Sequence, residues 1–384
     1  MVQVVEPRAP SHKNQETDMQ KPIDLRRVTS PLLSEIDEGV SQTLAGLRER
    51  WQPSTELRQH RRLGTERDRH AAATFLAARY GTPLDPDRIL LANGTQNALL
   101  LLLSALVPRG GTVLVEAMTY RQIRDVAAML GLNLVSVALD EDGLLPDAFE
   151  AACRLHRPSV LYCIPTVQNP SASIMSAERR QVVANIARRH GVAIIEDEAQ
   201  GLIPRDAPAP IGSIAPDITW TVTGLSKCLA VGLRIAYVVA PSAAILHETI
   251  APFEDMAFWY VSAVSAALLL HHIESGAAFA LTDAVQREAQ HRQEVAARLL
   301  PSTMLKSGHG LHIWLSYPGV RGDEARAAAF NAGVLVRSAS EYSVDGDRDL
   351  PGIRVSLADV SREDLIVGLT LLSGAVSPPA GTQH

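Results

Sequence analysis

The chain has 384 residues, with 36 Lys and Arg against 42 Asp and Glu, and a formal net charge of −6. This length suffices for one large domain with a smaller companion, and it excludes a small disulfide-stapled fold. The acidic balance argues against a general nucleic-acid surface. Cys153, Cys163 and Cys228 lie in or beside apolar runs without CxxC spacing, so we expect buried thiols in a reducing compartment and no metal site.

The N-terminal segment, MVQVVEPRAPSHKNQETDMQKP, is polar and contains three prolines but no apolar core of a signal sequence. It predicts a mobile tail, or an arm ordered by a partner, rather than a secretory signal. The longest apolar segments, such as ALLLLLSALV, are too short to span a bilayer. We therefore expect a cytoplasmic protein without a membrane partner.

From about Arg88, short apolar runs alternate with helical patterns, which is typical of a doubly wound sheet. The predicted strands are RILLAN, TVLVEA, NLVSVAL, SVLYCIP, VAIIEDEA, ITWTVTG and RIAYVVAP. The predicted helices between them are TQNALLLLLSALV, RQIRDVAAMLG, LPDAFEAACRL and SAERRQVVANIARRHG. Continuous apolar strands with helical crossovers predict an α/β fold with a mostly parallel sheet that is buried on both faces.

The last part of the chain predicts a smaller α+β unit. It begins with the long amphipathic helix DAVQREAQHRQEVAARLL and continues with LHIWLSY, the helix GDEARAAAFNAG, VLVRSAS, GIRVSLA and the closing helix REDLIVGLTLLSGAV. We assign residues 1–64 to an N-terminal tail or arm and part of the small domain, 65–270 to the large domain, and 271–384 to the small domain. The segment DLRRVTSPLLSEIDEGVSQTLAGLRERW also has a helical pattern.

Ligands of open parallel sheets bind beyond the carboxyl ends of the strands, so the polar residues there are the candidates for a site. Gly94, Thr95 and Gln96 follow RILLAN and open a helix, where free backbone N–H groups form an anion site. An ordinary strand-to-helix turn is the alternative. Tyr120 and Asn169 follow two further strands; a lone tyrosine there is more often a packing residue, and Asn-Pro by itself is only a turn signal.

Charged residues at two other strand ends are harder to explain by packing alone. The strand VAIIEDEA ends in Glu196, Asp197 and Glu198, and a carboxylate near a buried strand end must be paired unless that end is solvated. Lys227 and Arg234 stand isolated in the apolar stretch TVTGLSKCLAVGLRIAYVVAP. A desolvated lysine is a Schiff-base nucleophile and an arginine suits a phosphate, whereas a surface lysine and a snorkelling arginine are the alternative.

Together, and in this order, these residues resemble the fold type I pyridoxal-phosphate (PLP) enzymes, the aspartate aminotransferase superfamily of class I and II aminotransferases. The resemblance runs from about Gly64 to the end. The phrases LYCIPTVQNP, MSAERRQVVANIARRHGVAIIEDEAQG and SKCLAVGLRIAYVVAP are most similar to the aminotransferase-like domain of MocR-type regulators. The resemblance implies an aspartate aminotransferase-like large domain, pyridoxal 5′-phosphate as cofactor, and a homodimer with active sites at the interface.

The resemblance also implies roles for matched positions around the cofactor ring. Lys227 would hold the cofactor as a Schiff base and shuttle a proton, and Asp197 would pair with the pyridine nitrogen. Tyr120 would stack on the ring. Asn169 would bind the phenolic O3′ and lie beside the substrate.

Further matched positions concern the phosphate and the substrate. Gly94, Thr95 and Gln96 would bind the phosphate at a helix N-terminus, with Arg234 as its cationic partner. Arg354, in GIRVSLA, matches the arginine that clamps the substrate α-carboxylate in the family, and a strand-edge charge is the alternative.

Two positions depart from the family pattern. Gln200 stands where the family usually has a tyrosine that bonds O3′, and a neutral amide can donate to O3′ but cannot ionise. Gly224 stands where many relatives have a phosphate-binding serine, so Thr223 or Ser226 would take over that contact. Both departures leave the reaction type open.

Three functions are compatible with these residues. The first is an aminotransferase that acts on an α-amino acid with a 2-oxo acid acceptor. The second, favoured by Gln200, is a PLP-dependent β- or γ-elimination, replacement or C–C bond-forming enzyme of a specialised biosynthetic pathway. The third is a PLP-binding regulatory module, although the residues before the domain show no helix-turn-helix pattern. Four residues are candidates for substrate recognition, with packing as the alternative for each: Arg61, Arg62, Trp259 and Tyr260.

Overall fold

The computed structural model describes residues 21–375, apart from residues 59, 308 and 318. The tail expected at residues 1–20 lies outside the described residues, as do residues 376–384. The strands in chain order are β1 (Ile23–Asp24), β2 (Ile89–Ala92), β3 (Thr112–Glu116), β4 (Asn133–Val137), β5 (Leu139–Asp140), β6 (Gly143–Leu144), β7 (Val160–Cys163), β8 (Ala193–Asp197), β9 (Thr219–Gly224), β10 (Ala236–Val239), β11 (Leu305–Ser307), β12 (His312–Leu315), β13 (Val334–Leu335), β14 (Arg337–Ser338) and β15 (Ile353–Ser356).

Helices precede, connect and follow these strands. They are α1 (Ser34–Arg50), α2 (Pro53–Glu56), α3 (Glu66–Tyr80), α4 (Thr95–Leu106), α5 (Gln122–Leu130), α6 (Pro146–His156), α7 (Ala177–His190), α8 (Ile211–Ile214), α9 (Ala243–Ile250), α10 (Ala263–Glu274), α11 (Ala277–Leu299), α12 (Gly322–Asn331) and α13 (Arg362–Ala375).

Seven of the described strands form the main sheet, in the order β2-β10-β9-β8-β7-β3-β4. All neighbours pair in parallel except β10, which is antiparallel to both β2 and β9. The predicted mostly parallel α/β sheet is thus confirmed. The antiparallel direction of β10 arises because only a short connection, from residue 225 to 235, joins it to β9, which is too short for a helical crossover.

The strands of this sheet are buried along nearly their whole length, which matches their continuous apolar sequences. Helices cover both faces. One apolar cluster packs α4 against one face, and another packs α6 and α7 against the other. The structure therefore has the layered arrangement that places ligands at the carboxyl edge of the sheet.

Local signals in the sequence define the helix that begins at this edge. The backbone of Gly94 has a φ of 83°, in a region that favours glycine, and α4 starts at the next residue. Earlier in the chain, Thr65 and Asp68 form a capping box that starts α3, and Gly81 ends that helix in the left-handed conformation.

The second sheet has the order β11-β12-β15-β14 and is antiparallel throughout. Its core includes α12, α13 and the end of α11. The N-terminal segment joins this unit, because β1 pairs with β13 and Leu25 is buried in the same core. The predicted strand VLVRSAS is in fact two short strands, β13 and β14, and β11 was not predicted from the sequence.

Among the described residues, no single helix has the length and apolar composition needed to cross a membrane. The pair Ala263–Glu274 and Ala277–Leu299 meets the length and composition criteria only when taken together, and it is bent by 83°. The three cysteines are buried and unpaired.

Candidate active site

A cavity of about 360 Å³ lies at the carboxyl edge of the main sheet, within the size range of small-molecule sites. It brings together eleven of the twelve residues predicted from the sequence: Gly94, Thr95, Gln96, Tyr120, Asn169, Asp197, Gln200, Ser226, Lys227, Arg234 and Arg354. Thr223 is the exception, because it is buried within β9 and is not part of the cavity wall. Of the two substitutes considered for the missing serine, only Ser226 lines the cavity.

The register of the sheet explains why residues so distant in sequence meet here. Ala236, the first residue of β10, pairs with Ala92 on one side and with Gly224 on the other. The ends of β2 and β9 and the start of β10 therefore lie at one edge. Consequently the loops that carry Gly94, Lys227 and Arg234 leave the sheet side by side.

Asp197 is the carboxylate of the Glu196-Asp197-Glu198 run that faces the cavity. It is buried, and it accepts hydrogen bonds from the Tyr162 hydroxyl at 2.8 Å and from the Ala199 backbone N–H at 2.9 Å. Burial raises the pKa of Asp197 to about 6 in spite of these two bonds. A cationic partner in the cavity would therefore stabilise its charged form.

The two flanking carboxylates point away from the cavity and have internal partners. Glu198 forms a buried ion pair with Arg79 at 2.6 Å, and the Thr166 hydroxyl also donates to it. Glu196 lies 3.6 Å from Arg180 and accepts the backbone N–H groups of residues 211 and 212. The predicted need for pairing at this strand end is thus met by two arginines that were not identified from the sequence.

Lys227 also lines the cavity, and its ammonium donates a hydrogen bond to the Val28 carbonyl of the N-terminal segment. Burial, and next the positive charge of Arg354, lower the pKa of Lys227 to about 8, while Asp197 acts in the opposite direction. A substantial neutral fraction near physiological pH suits a lysine that must attack a carbonyl.

The start of α4 forms another part of the wall. Gly94 provides no side-chain cap, and the Gln96 amide donates to the Tyr120 hydroxyl at 2.9 Å. A Cβ added at Gly224 would overlap the hydroxyl of Thr95. The glycine at position 224 is therefore explained by space, since the Thr95 side chain fills the volume that a serine would need.

Gln200 lines the cavity, yet its amide is engaged elsewhere. Its carbonyl oxygen accepts from the Leu311 backbone N–H at 2.8 Å, and its nitrogen lies 3.0 Å from His312 Nδ1. This orientation differs from the expected contact with O3′, because the small sheet supplies buried partners that satisfy the amide.

Arg354, on β15, is buried and lines the same cavity. Its guanidinium donates to the Asn169 side-chain oxygen at 2.9 Å and to the Arg26 carbonyl at 2.5 Å, and it lies 5.2 Å from the centre of the Tyr342 ring. No carboxylate pairs with it among the described residues, and its buried Nε–H has no partner there. Such a group is poised to bind an anion.

The cavity also contains residues that were not predicted from the sequence, among them Arg26, Arg27 and Val28 of the N-terminal segment. Tandem arginines ahead of the first helix were the available signal for them.

The four candidates for substrate recognition do not line the cavity: Arg61 pairs with Asp68, Arg62 with Asp255, Trp259 is buried in the core, and Tyr260 bonds the Glu254 carbonyl. The packing alternative fits all four.

Comparison with known proteins places this geometry in a family. The family model described as aminotransferase class I and II matches residues 59–370. The chain belongs to the class I and II aminotransferase family.

Relatives of this aminotransferase family member fall into two groups. The chain is 32% identical over 304 residues to the uncharacterized HTH-type transcriptional regulator YdeF of Bacillus subtilis. That alignment covers 78% of this chain and 65% of YdeF. It therefore spans slightly less than two thirds of that relative. The chain is also 36% identical over 116 residues to an aromatic amino acid aminotransferase of Schizosaccharomyces pombe, in an alignment that covers 29% of this chain and 25% of that protein. The predicted similarity to aminotransferases and to MocR-type proteins is confirmed.

Solved structures confirm the predicted fold. Kynurenine aminotransferase of Pyrococcus horikoshii superposes with a TM-score of 0.82 at 20% identity, over 93% of this chain and 91% of that chain. The chain thus has the fold type I, aspartate aminotransferase-like architecture.

Pyridoxal 5′-phosphate is the cofactor that this family implies, and the residues present fit it. A lysine of lowered pKa and a buried carboxylate line the same cavity, as a Schiff base and a pyridine nitrogen require. The N-terminus of α4, which has no side-chain cap, and Arg234 offer donors for a phosphate. The Thr95 hydroxyl beside Gly224 adds a further donor at that end.

Proposed function

We propose that the protein is a PLP-dependent aminotransferase that transfers the amino group of an α-amino acid to a 2-oxo acid. The observation that carries this proposal is that Lys227, Asp197 and Arg354 line one cavity. Burial and the charge of Arg354 lower the pKa of Lys227, and the charge of Asp197 acts in the opposite direction. A nucleophilic amine, a partner for a ring nitrogen and a carboxylate clamp thereby share one cavity.

In this proposal each residue performs a step suited to its surroundings. The bound cofactor supplies a ring that withdraws electrons from the substrate Cα. Lys227 holds the cofactor and moves a proton at Cα, since its amine is neutral enough to accept one. Asp197, buried and supported by Tyr162, keeps the ring nitrogen protonated. Arg354 holds the α-carboxylate and orients the Cα–H bond.

The remaining contacts would fix the cofactor. Gly94, Thr95, Gln96 and Ser226 would hold the phosphate together with Arg234. Tyr120, which accepts from Gln96, would stack on the ring, and Asn169 would lie between O3′ and Arg354. These assignments are supported by the position of all seven residues on one cavity wall or another.

We also propose a cytoplasmic homodimer with its active sites at the interface, and the division into residues 1–64, 65–270 and 271–384. Phe258 supports the interface, because its side chain is exposed while its carbonyl accepts from Asn97, beside the cavity residue Gln96. Val231 lines the cavity and is also exposed. Apolar side chains at the mouth of a polar site are typical of surfaces that a partner covers.

Two other functions are supported by particular observations. Gln200 replaces an ionisable tyrosine, which favours elimination, replacement or C–C bond formation on the same cofactor site. Similarity to YdeF, named as an HTH-type transcriptional regulator, favours a ligand-sensing module. Both alternatives keep PLP at Lys227, so they differ from the main proposal only in the steps after the amino acid binds.

The test begins with the absorbance of the purified protein after incubation with PLP. Lys227→Ala should abolish the Schiff-base band, whereas Lys306→Ala, at a lysine in the small sheet, should retain it. Amino acids are then added with and without 2-oxo acids, and products are identified by mass spectrometry. Transfer of the amino group to the 2-oxo acid supports the proposal. An aminotransferase without an acceptor releases at most one equivalent of product per active site, so repeated turnover without any 2-oxo acid would refute the proposal in favour of the second function. Salt-dependent DNA binding without turnover would favour the third.

A further inference from the structure

A chain of buried hydrogen bonds runs inward from Gln200, which lines the cavity, and we call it the His312 chain. It consists of Glu116, Gln168, His312 and Gln200, all of which are buried. The Gln168 amide donates to Glu116 at 3.0 Å and to the Met118 carbonyl at 2.7 Å. His312 lies 3.2 Å from the Gln168 carbonyl and 3.0 Å from the Gln200 amide nitrogen.

The partners of Gln200 fix the direction of the bonds that join the imidazole to Gln200 and to the Gln168 backbone carbonyl. Because the Gln200 oxygen accepts from the Leu311 N–H, its nitrogen is the donor to His312 Nδ1. The ring proton therefore resides on Nε2, which donates to the Gln168 carbonyl. Burial, and next Arg354, lower the pKa of His312 to about 3, in agreement with a neutral ring that both accepts and donates.

His312 connects the two structural units that would hold the substrate. Gln168 immediately precedes Asn169, whose side-chain oxygen accepts from Arg354. His312 belongs to β12, which pairs with β15, the strand that carries Arg354. The imidazole thus joins the Asn169 loop of the large sheet to the Arg354 strand of the small sheet without lining the cavity itself.

Packing around the His312 chain leaves little freedom for either unit. A Cβ added at Gly310 would overlap Val167 and contact Gln200. The backbone before β12 therefore lies directly against the segments that carry Val167 and Gln200. On the other side, the Gln293 amide of α11 donates to the carbonyls of Gly310 at 2.6 Å and His312 at 3.1 Å. A change at the imidazole is therefore transmitted to its neighbours rather than absorbed by a cavity.

We propose that His312 is a positioning residue that sets the spacing between Asn169 and Arg354, and thereby the grip on the substrate α-carboxylate. This inference rests on the proposed function, because it assumes that Arg354 binds that carboxylate. It also gives Gln200 a role: as an amide it donates to the acceptor nitrogen of His312 and accepts from Leu311, two bonds that a phenol could not make at once with the same geometry.

Two substitutions separate the two bonds of the imidazole. The amide of Gln reaches the place of Nε2, so His312→Gln keeps a donor for the Gln168 carbonyl. The amide of Asn reaches the place of Nδ1, so His312→Asn keeps an acceptor for Gln200 but removes the imidazole donor from the Gln168 backbone carbonyl, which then retains only the Ala172 N–H. We expect KM for the amino acid to rise about tenfold in His312→Asn and to stay within about threefold in His312→Gln. In both variants kcat should change less than KM.

Two further measurements keep the outcomes distinct. His272→Gln is the matched control, because His272 is a buried histidine of α10 that bonds Thr43 at 2.6 Å, outside the cavity. It should leave KM unchanged. The ¹⁵N chemical shifts of His312 in the apoprotein at pH 7.5 should report a neutral ring protonated on Nε2, and this measurement needs neither cofactor nor turnover.

The results discriminate clearly between the two proposals. Equal KM values in His312→Asn and His312→Gln, or an Nδ1-protonated ring, would overturn the positioning role. Absence of a cofactor band in the wild-type protein would instead refute the proposed function, while the ¹⁵N shifts would still decide whether the His312 chain has the stated direction. Loss of unfolding free energy without any difference in KM would assign His312 a structural role only, and would also overturn the proposal.

Discussion

Gly224→Ser introduces the residue that many relatives carry, and the structure predicts that it is harmful in this chain. The added Cβ would lie well within 3.0 Å of the Thr95 hydroxyl, a separation that real Cβ atoms essentially never show. Either Thr95 or the end of β9 must therefore move. Overpacking of this kind destabilises a protein by about 1–3 kcal/mol, which corresponds to a roughly fivefold to 150-fold smaller ratio of folded to unfolded protein.

Chemical denaturation of the apoprotein measures this loss, and a second substitution identifies its cause. Thr95→Ala removes the hydroxyl, so the double variant should recover about 1 kcal/mol or more relative to the sum of the single variants. Gly232→Ser is the matched control, because a Cβ there meets nothing within 4 Å, and it should change stability by less than about 0.5 kcal/mol. Additive effects of the Gly224 and Thr95 substitutions would show that the steric explanation is incorrect.

Three further predictions concern buried polar groups. Tyr162→Phe removes a hydrogen-bond donor to Asp197, so the pKa of Asp197 should rise further. The affinity for PLP, measured by fluorescence quenching, should then fall about tenfold. An unchanged affinity would count against the role of this bond. Arg79→Leu leaves Glu198 buried without its cation and should lower the free energy of unfolding by about 3–5 kcal/mol, as measured in denaturant. Between the folded pKa of Lys227, about 8, and its ordinary value of 10.5, the unfolded apoprotein binds more protons, so stability should rise with pH in that window. Lys227→Met should abolish that rise, and its persistence would assign the rise to other groups.

The parts of the site that the sequence predicts are those with a local signal. Lys227 and Arg234 are isolated charges in an apolar run, and Asp197 ends a buried strand, so their environment is visible from their neighbours alone. The main strands are predicted for the same reason, because each is a continuous apolar run between helical patterns. Only the direction of β10 required knowledge of how short its connection is.

Other features depend on contacts between distant residues and have no local signal. Tyr162 looks like any aromatic of a buried strand, and its bond to Asp197 spans 35 positions. The orientation of Gln200 depends on His312, which is 112 positions away. Thr95 excludes a side chain at Gly224 only because β2 and β9 flank β10. Periodicity and propensity do not specify such pairs.

The N-terminal segment contributes main-chain oxygens to the site: Val28 accepts from Lys227, Arg26 from Arg354, and Arg27 from Ser356. A carbonyl is present whatever side chain its residue bears. Substitutions at these three positions thus change the side chains there but leave the carbonyl acceptors of Lys227 and Arg354 in place. The side chains of these three consecutive residues can therefore change which molecules the cavity accepts, while their backbone carbonyls keep holding the amine and the guanidinium. This segment is the natural place to randomise when altering specificity.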